Sequence, residues 1–221
     1  FKAEGSLLGA DAIVTFRLKG KRIPGSVPPT TLVLFEQDFE AGLAPYVETD
    51  ANGLLVATLW HAEGLCGPAA TVPASMGGAA AAYNLGDQAP PVYTYDTGFL
   101  TPNAGSLESP PLSVPSSSSP TAGIRLSFDF LRETQAATVL DESFLEVREF
   151  ECGAWTFLAA FTDQAACARS PIHVEISGNP VLDAMFGKTF SHRFRFDTGD
   201  SSENDFLGWY VDNVRIEVVN R

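Results

Sequence analysis

Leu207-Gly208-Trp209-Tyr210-Val211-Asp212-Asn213-Val214-Arg215-Ile216 is the stretch whose reading decides the fold. Its side chains alternate with the period of two that marks a β-strand. Trp209, Val211, Asn213 and Arg215 fall on one face, and Tyr210, Asp212, Val214 and Ile216 on the other. Asp212 is thereby expected among apolar neighbours. An ionised carboxylate in such company needs a cation, a set of hydrogen-bond donors or a partner charge. Near the other end of the chain, Phe35-Glu36-Gln37-Asp38-Phe39-Glu40 carries Asp38 and Glu40 at a spacing of two. Acids near both ends of a β-domain suggest one shared metal site where those ends meet.

Outward from that stretch, strand patterns recur at short intervals: 32–35, 54–60, 79–84, 105–112, 124–131, 144–150, 155–161, 173–176 and 189–196. Gly-, Ala- and Pro-rich connections separate them, and Ser116-Ser117-Ser118-Ser119 reads as a loop. Only 181–186 has helical character. The pattern argues for an all-β, two-sheet antiparallel jelly-roll sandwich over residues 31–221. Residues 1–30 read as an N-terminal arm or edge strand followed by a linker with Pro24, Pro28 and Pro29.

The chain has 221 residues, 45 % of them apolar, enough to bury a core unaided. Sixteen phenylalanines with 15 prolines and 19 glycines suit short strands punctuated by turns. Fourteen basic against 27 acidic residues give a net charge of −13, which disfavours nucleic acid and anionic lipid as partners. Such acidity is also common among extracellular and salt-tolerant proteins. No apolar run is long enough to insert across a membrane. The sequence starts at Phe1 without a signal-like segment, which reads as a processed product or an excised domain. Of the three cysteines, Cys152 and Cys167 flank one strand pattern and a polar turn. A disulfide closing that loop would contribute about 3 kcal/mol in the chain-entropy picture. Cys66 is then left as a small buried hydrophobe, and the two other pairings stay open.

Several segments, in this order, carry a family resemblance: Asp38-Phe39-Glu40, Leu59-Trp60-His61, Tyr95-Asp96-Thr97-Gly98, Gly105-Ser106-Leu107-Glu108-Ser109-Pro110, and the closing Gly208-Trp209-Tyr210-Val211-Asp212-Asn213-Val214. Together they resemble the MAM-like jelly-roll domains of large secreted bacterial proteins, including the module appended to immune-inhibitor-A-type metallopeptidases. The resemblance spans residues 32–219, and its closing segment is the most specific part. It implies a concanavalin A-like sandwich, often stabilised by calcium, that serves as an accessory or binding module. It also implies that Glu40 and Asp212 are metal ligands. Asn213 departs from the commoner aspartate and would lower the charge of the site.

From the residues themselves, Asp38, Glu40 and Asp212 fit a structural Ca2+ site built of hard oxygen donors, with Asp96 as a further ligand. The competing reading is that these acids cap turns or pair with Arg193 and Arg215. Glu142 and Glu146 are the nearest approach to the acids of a glucanase-type hydrolase, but the required acid triplet is absent. His61, His173 and His192 lack metal-ligand spacing, and no nucleophile elbow occurs. Tyr93, Tyr95 and His61 are the expected ligand-binding residues, the tyrosines through ring stacking. The chain therefore reads as a secreted or cell-surface, non-catalytic adhesion or targeting module. It would bind glycan or an extracellular protein surface for a larger polypeptide, such as a secreted hydrolase or peptidase. A structural spacer that contacts sister modules is the alternative, and a glucanase-type enzyme a weaker one.

Overall fold

In the computed structural model the described residues are 31–50, 59–64, 76, 78–86, 94–98, 101–117, 119–134, 141–150, 153–161, 171–201 and 204–220. Among these described residues twelve strands are formed: β1 (Leu32–Gln37), β2 (Val47–Asp50), β3 (Trp60–Gly64), β4 (Ala79–Tyr83), β5 (Ala104–Glu108), β6 (Leu112–Ser113), β7 (Ala122–Glu133), β8 (Glu142–Glu149), β9 (Thr156–Phe161), β10 (Ile172–Ser177), β11 (Thr189–Asp197) and β12 (Gly208–Asn220). One turn of helix, α1 (Pro180–Asp183), is started by Asn179, whose side chain accepts the Val181 N–H, and by a proline suited to the first helical position.

The strands make two six-stranded antiparallel sheets. Sheet A runs β10-β7-β12-β4-β3 with β1 also on β12, and sheet B runs β2-β5-β11-β8-β9 with β6 also on β11. Alternation explains the packing between them. Phe190, His192, Phe194 and Phe196 of β11 are buried beneath sheet B, while Phe128, Phe130, Trp209 and Val211 come from sheet A. Rings from the two sheets meet edge to face: Phe128 and Phe194 lie 5.1 Å apart, and Phe194 and Trp209 5.7 Å. Each such pair contributes about 0.5–1.5 kcal/mol beyond its buried area. The jelly-roll sandwich expected from the sequence is the fold, and Thr31–Arg221 is one compact unit.

The length of β12 organises the site region. One of its edges pairs with β7 along its whole length. The other pairs first with β4, through Trp209–Val211, and then with β1, through Val214–Val218. Between those two partners the register with β7 shifts, and Asn213 takes a left-handed backbone (φ 52°). Asparagine tolerates that conformation better than most residues. The bulge breaks the strict alternation read from the sequence. Trp209 and Val211 point into the core, and beyond the bulge so do Val214 and Ile216. Asp212 therefore does not share a face with Val214 and Ile216, but stands on the outer face of sheet A beside Tyr210.

Two further departures concern short or shifted strands. The pattern at 54–60 resolves as β3, which begins at Trp60; residues 51–58 lie outside the described residues. β2, an edge strand of sequence Val-Glu-Thr-Asp, carries too little apolar content to be anticipated. The expected arm at 1–30 also lies outside the described residues.

Candidate functional site

On the outer face of sheet A, carboxylates from two elements, the turn after β1 and β7, gather around Asp212 of β12. The turn after β1 has Phe39 at φ 56°, with its ring buried 5.5 Å from that of Tyr46. Anchoring this ring between them leaves Asp38 and Glu40 to turn outward. Glu40 accepts the N–H groups of Gly78 and, at 3.1 Å, of Ala79, where β4 begins. A Cβ at residue 78 would meet the Glu40 carboxylate, which approaches the chain closely there because residue 78 is glycine. Asp212 is 1 % exposed. Its carboxylate accepts the Asn213 backbone N–H at 2.7 Å and the Asn213 side-chain amide at 3.2 Å. The same amide donates to Asp129 of β7 at 2.9 Å, and Asp129 in turn accepts from His173 Nδ1 at 2.7 Å.

Burial pushes the Asp212 carboxyl up to about 7; the Asn213 N–H opposes this, and the charges of Asp129, Glu40 and Asp38 add to it. The charges acting on Asp212 are thus all negative, an arrangement that a divalent cation would relieve. The donors are hard oxygens, as calcium prefers. Among the described residues, however, no three carboxylate, histidine or cysteine side chains converge at ligand spacing. The site fits calcium in charge and donor type, and its oxygens would have to close in to coordinate it. Asp96 is not part of this cluster: it is exposed and accepts the Gly98 N–H at 2.8 Å, capping its own turn. Asp129 was not anticipated, because its pairing opposite Asp212 exists only once β7 and β12 are in register.

The outer face of sheet B is different in kind. Glu142, Phe144, Glu146 and Arg148 of β8 alternate with buried Ser143, Leu145 and Val147, as the sequence pattern indicates. Beside them stand Arg193, Arg195 and Asp197 of β11 and Glu108 of β5. Arg193 Nε donates to Glu146 at 2.7 Å, Arg195 to Asp197 at 2.9 Å, and Arg148 reaches over β11 to Glu108 at 3.2 Å. Trp155, just before β9, lies over two of these guanidiniums, 4.4 Å from Arg148 and 4.2 Å from Arg193. Arg195 lies 4.6 Å from the ring of Phe144, and Phe157 stands edge-on to that ring at 5.9 Å. Phe157 is 54 % exposed. The face is therefore a lattice of ion pairs carrying a row of aromatic rings, each fixed by cation–π contact or ring contact.

The remaining candidates separate. Tyr95 has no exposed surface; its hydroxyl donates to Asp141 at 2.5 Å and its ring packs on Phe196 at 5.3 Å. It is a core residue, and its position next to a proline-rich loop misled the sequence reading. Tyr93, Cys66, Cys152 and Cys167 lie outside the described residues. His61 is half-buried on β3, donating from Nδ1 to the Leu59 carbonyl at 2.9 Å, with Nε2 3.6 Å from Glu63. Burial pulls its imidazole down, but the nearby Glu63 carboxylate, the Leu59 carbonyl and the charge of Glu48 outweigh it, so the net direction is up. His61 is thus occupied as the partner of the buried Glu63. Nearby, Arg132 straps the two sheets, donating to Ser143 Oγ at 2.8 Å and to the Asp141 carbonyl at 2.6 Å.

No protein-family profile and no curated protein matches the chain. Among solved structures, a stig cyclase from Fischerella sp. TAU, in complex with a pyrrolidinylidene-indole, is 16 % identical with a TM-score of 0.46, covering 80 % of this chain and 86 % of that one. The CBM22-2 xylan-binding domain of Paenibacillus barcinonensis Xyn10C is 13 % identical with a TM-score of 0.44, covering 85 % and 99 %. The CBM22-1 domain of the same protein is 11 % identical with a TM-score of 0.42, covering 87 % and 97 %. What this chain's own residues define is a two-sheet sandwich with an acidic cluster on one outer face and an aromatic–arginine platform on the other.

Proposed function

We propose that the chain is a non-catalytic binding module that holds a glycan on the outer face of sheet B and is stabilised by calcium at the Asp212 cluster. The observation that carries this reading is the platform itself: Trp155, Phe144 and Phe157 on an outer strand face, oriented by Arg148, Arg193 and Arg195. Stacking on sugar rings needs fixed aromatic surface at the protein exterior, and rings already held by guanidiniums lose little further freedom on binding. Three acids of the same face, Glu108, Glu146 and Asp197, have arginine partners. Glu146 Oε2 is bound by Arg193 and lies 3.6 Å from Arg195, so this carboxylate is fixed by two guanidiniums of its own face.

Calcium, in this reading, draws Asp38, Glu40 and Asp212 together, with Asp129 beside them, and so ties β1 to β4 and β12. The same reading places the chain in a secreted or cell-surface setting within a larger polypeptide, in keeping with its net charge of −13. Incubation of the intact chain with insoluble polysaccharides, reading both depletion from solution and sugar released, tests the function. Saturable retention without product supports it; release of product that depends on Glu142 or Glu146 overturns it.

A further inference from the structure

Resting on the reading of the sheet B face as the glycan site, we infer that its ligand is an uncharged polysaccharide and that the ion-pair lattice beneath the rings excludes anionic ones. Three arginines on an aromatic surface would suggest recognition of carboxylate or sulfate. Their engagement says otherwise. Arg193 is held by Glu146, Arg148 by Glu108 and Arg195 by Asp197, each at 2.7–3.2 Å. Arg193 is also within 3.8 Å of Glu108. The guanidinium faces are used as well, against Trp155 and Phe144.

Glu142 adds a fourth carboxylate to the face, so acids outnumber arginines there, on a chain of net charge −13. An anionic sugar would have to break an existing pair and leave a half-buried glutamate beside its own charge. Both steps are unfavourable, and like-charge juxtaposition is a means of rejecting wrong partners. A neutral sugar meets no such barrier. Its ring C–H surface lies on Trp155 and Phe157, and its hydroxyls donate to the outer oxygens of Glu108, Glu142 and Glu146 without displacing an arginine.

The test compares polymers that share a backbone and differ in charge, hydroxyethyl cellulose against carboxymethyl cellulose and arabinoxylan against glucuronoxylan, by affinity electrophoresis at low and high salt. The inference expects at least one neutral polymer to retard the protein, with affinity changing less than about twofold between the two salts. Its charged counterpart should bind at least about tenfold more weakly. Glu108→Gln, which removes the partner of Arg148, should narrow that gap. Equal or tighter binding of the charged polymer, weakened by salt, overturns the inference while leaving the glycan reading in place. Retardation by none of a broad neutral and anionic panel, with the protein shown folded by its melting transition, overturns the glycan reading itself and this inference with it.

Discussion

Acidification should withdraw the contribution that one buried residue, His192, makes to stability. It sits on the buried face of β11 with no exposed surface, its Nε2 2.7 Å from the Tyr46 hydroxyl and its ring packed edge-on against Phe35, Tyr46 and Phe194. Nδ1 has no hydrogen-bond partner among the described residues. Protonation would make both ring nitrogens donors, and Nδ1 would face only apolar surroundings. Burial accordingly pushes the imidazole down to about 3. The unfolded chain protonates this imidazole near pH 6.5, the folded one only near 3, so the contribution of His192 to stability falls as pH falls through that window, while the raised Asp212 carboxyl acts in the opposite sense in wild type and variant alike. At about 1.4 kcal/mol per pH unit, the loss between pH 6.5 and pH 4 is about 3 kcal/mol. Urea unfolding of the wild type and His192→Gln at pH 7, 5.5 and 4 isolates the effect, since glutamine can still meet the Tyr46 hydroxyl but does not titrate in this range. The wild type should lose about 3 kcal/mol more than the variant over that range. Parallel curves, differing by less than about 1 kcal/mol, would show that His192 is not buried as a neutral group.

Calcium should raise the melting temperature and a chelator lower it, because a ligand bound only to the native state stabilises by mass action; Asp212→Asn should abolish most of this response, and melting indifferent to both additives would remove the metal from the account. Gly208→Ala should cost about 2–4 kcal/mol in chemical denaturation, since residue 208 has φ 86° and its new Cβ would run into the Tyr83 carbonyl; a loss below about 1 kcal/mol would mean the β4–β12 approach is looser than described. Under non-reducing conditions, peptide mapping should recover Cys152 joined to Cys167, and a Cys66 disulfide to either would refute that pairing.

The fold was legible because strict alternation marks the strands at the centre of sheet B: β8, and β11 from His192 onward, bury every second residue. The meeting of the two chain ends was legible in part, since Asp38 and Glu40 do act on Asp212. What could not be read was the break at Asn213. A bulge is a property of two paired strands, and the change of partner from β4 to β1 that accompanies it is invisible in one strand's own residues. Asp129 escaped for the same reason. The platform on sheet B escaped differently. Trp155 lies over arginines 7 and 38 positions away, on two different strands, so only register brings the three together. Tyr95 shows the opposite error, since a tyrosine in a loop is as readily a core residue when the loop closes the end of a sandwich and its hydroxyl finds a buried acid.

The central claim is that the rings over the sheet B lattice are the binding surface and that nothing is turned over there. Binding isotherms on a retained neutral polysaccharide, for the wild type and for Trp155→Ala with an unchanged melting temperature, test it most directly. Truncating an anchor of this kind costs about 1–3 kcal/mol, so the account predicts affinity roughly tenfold or more weaker and no released sugar from either protein. Affinity unchanged in Trp155→Ala, or sugar released by the wild type, would contradict it.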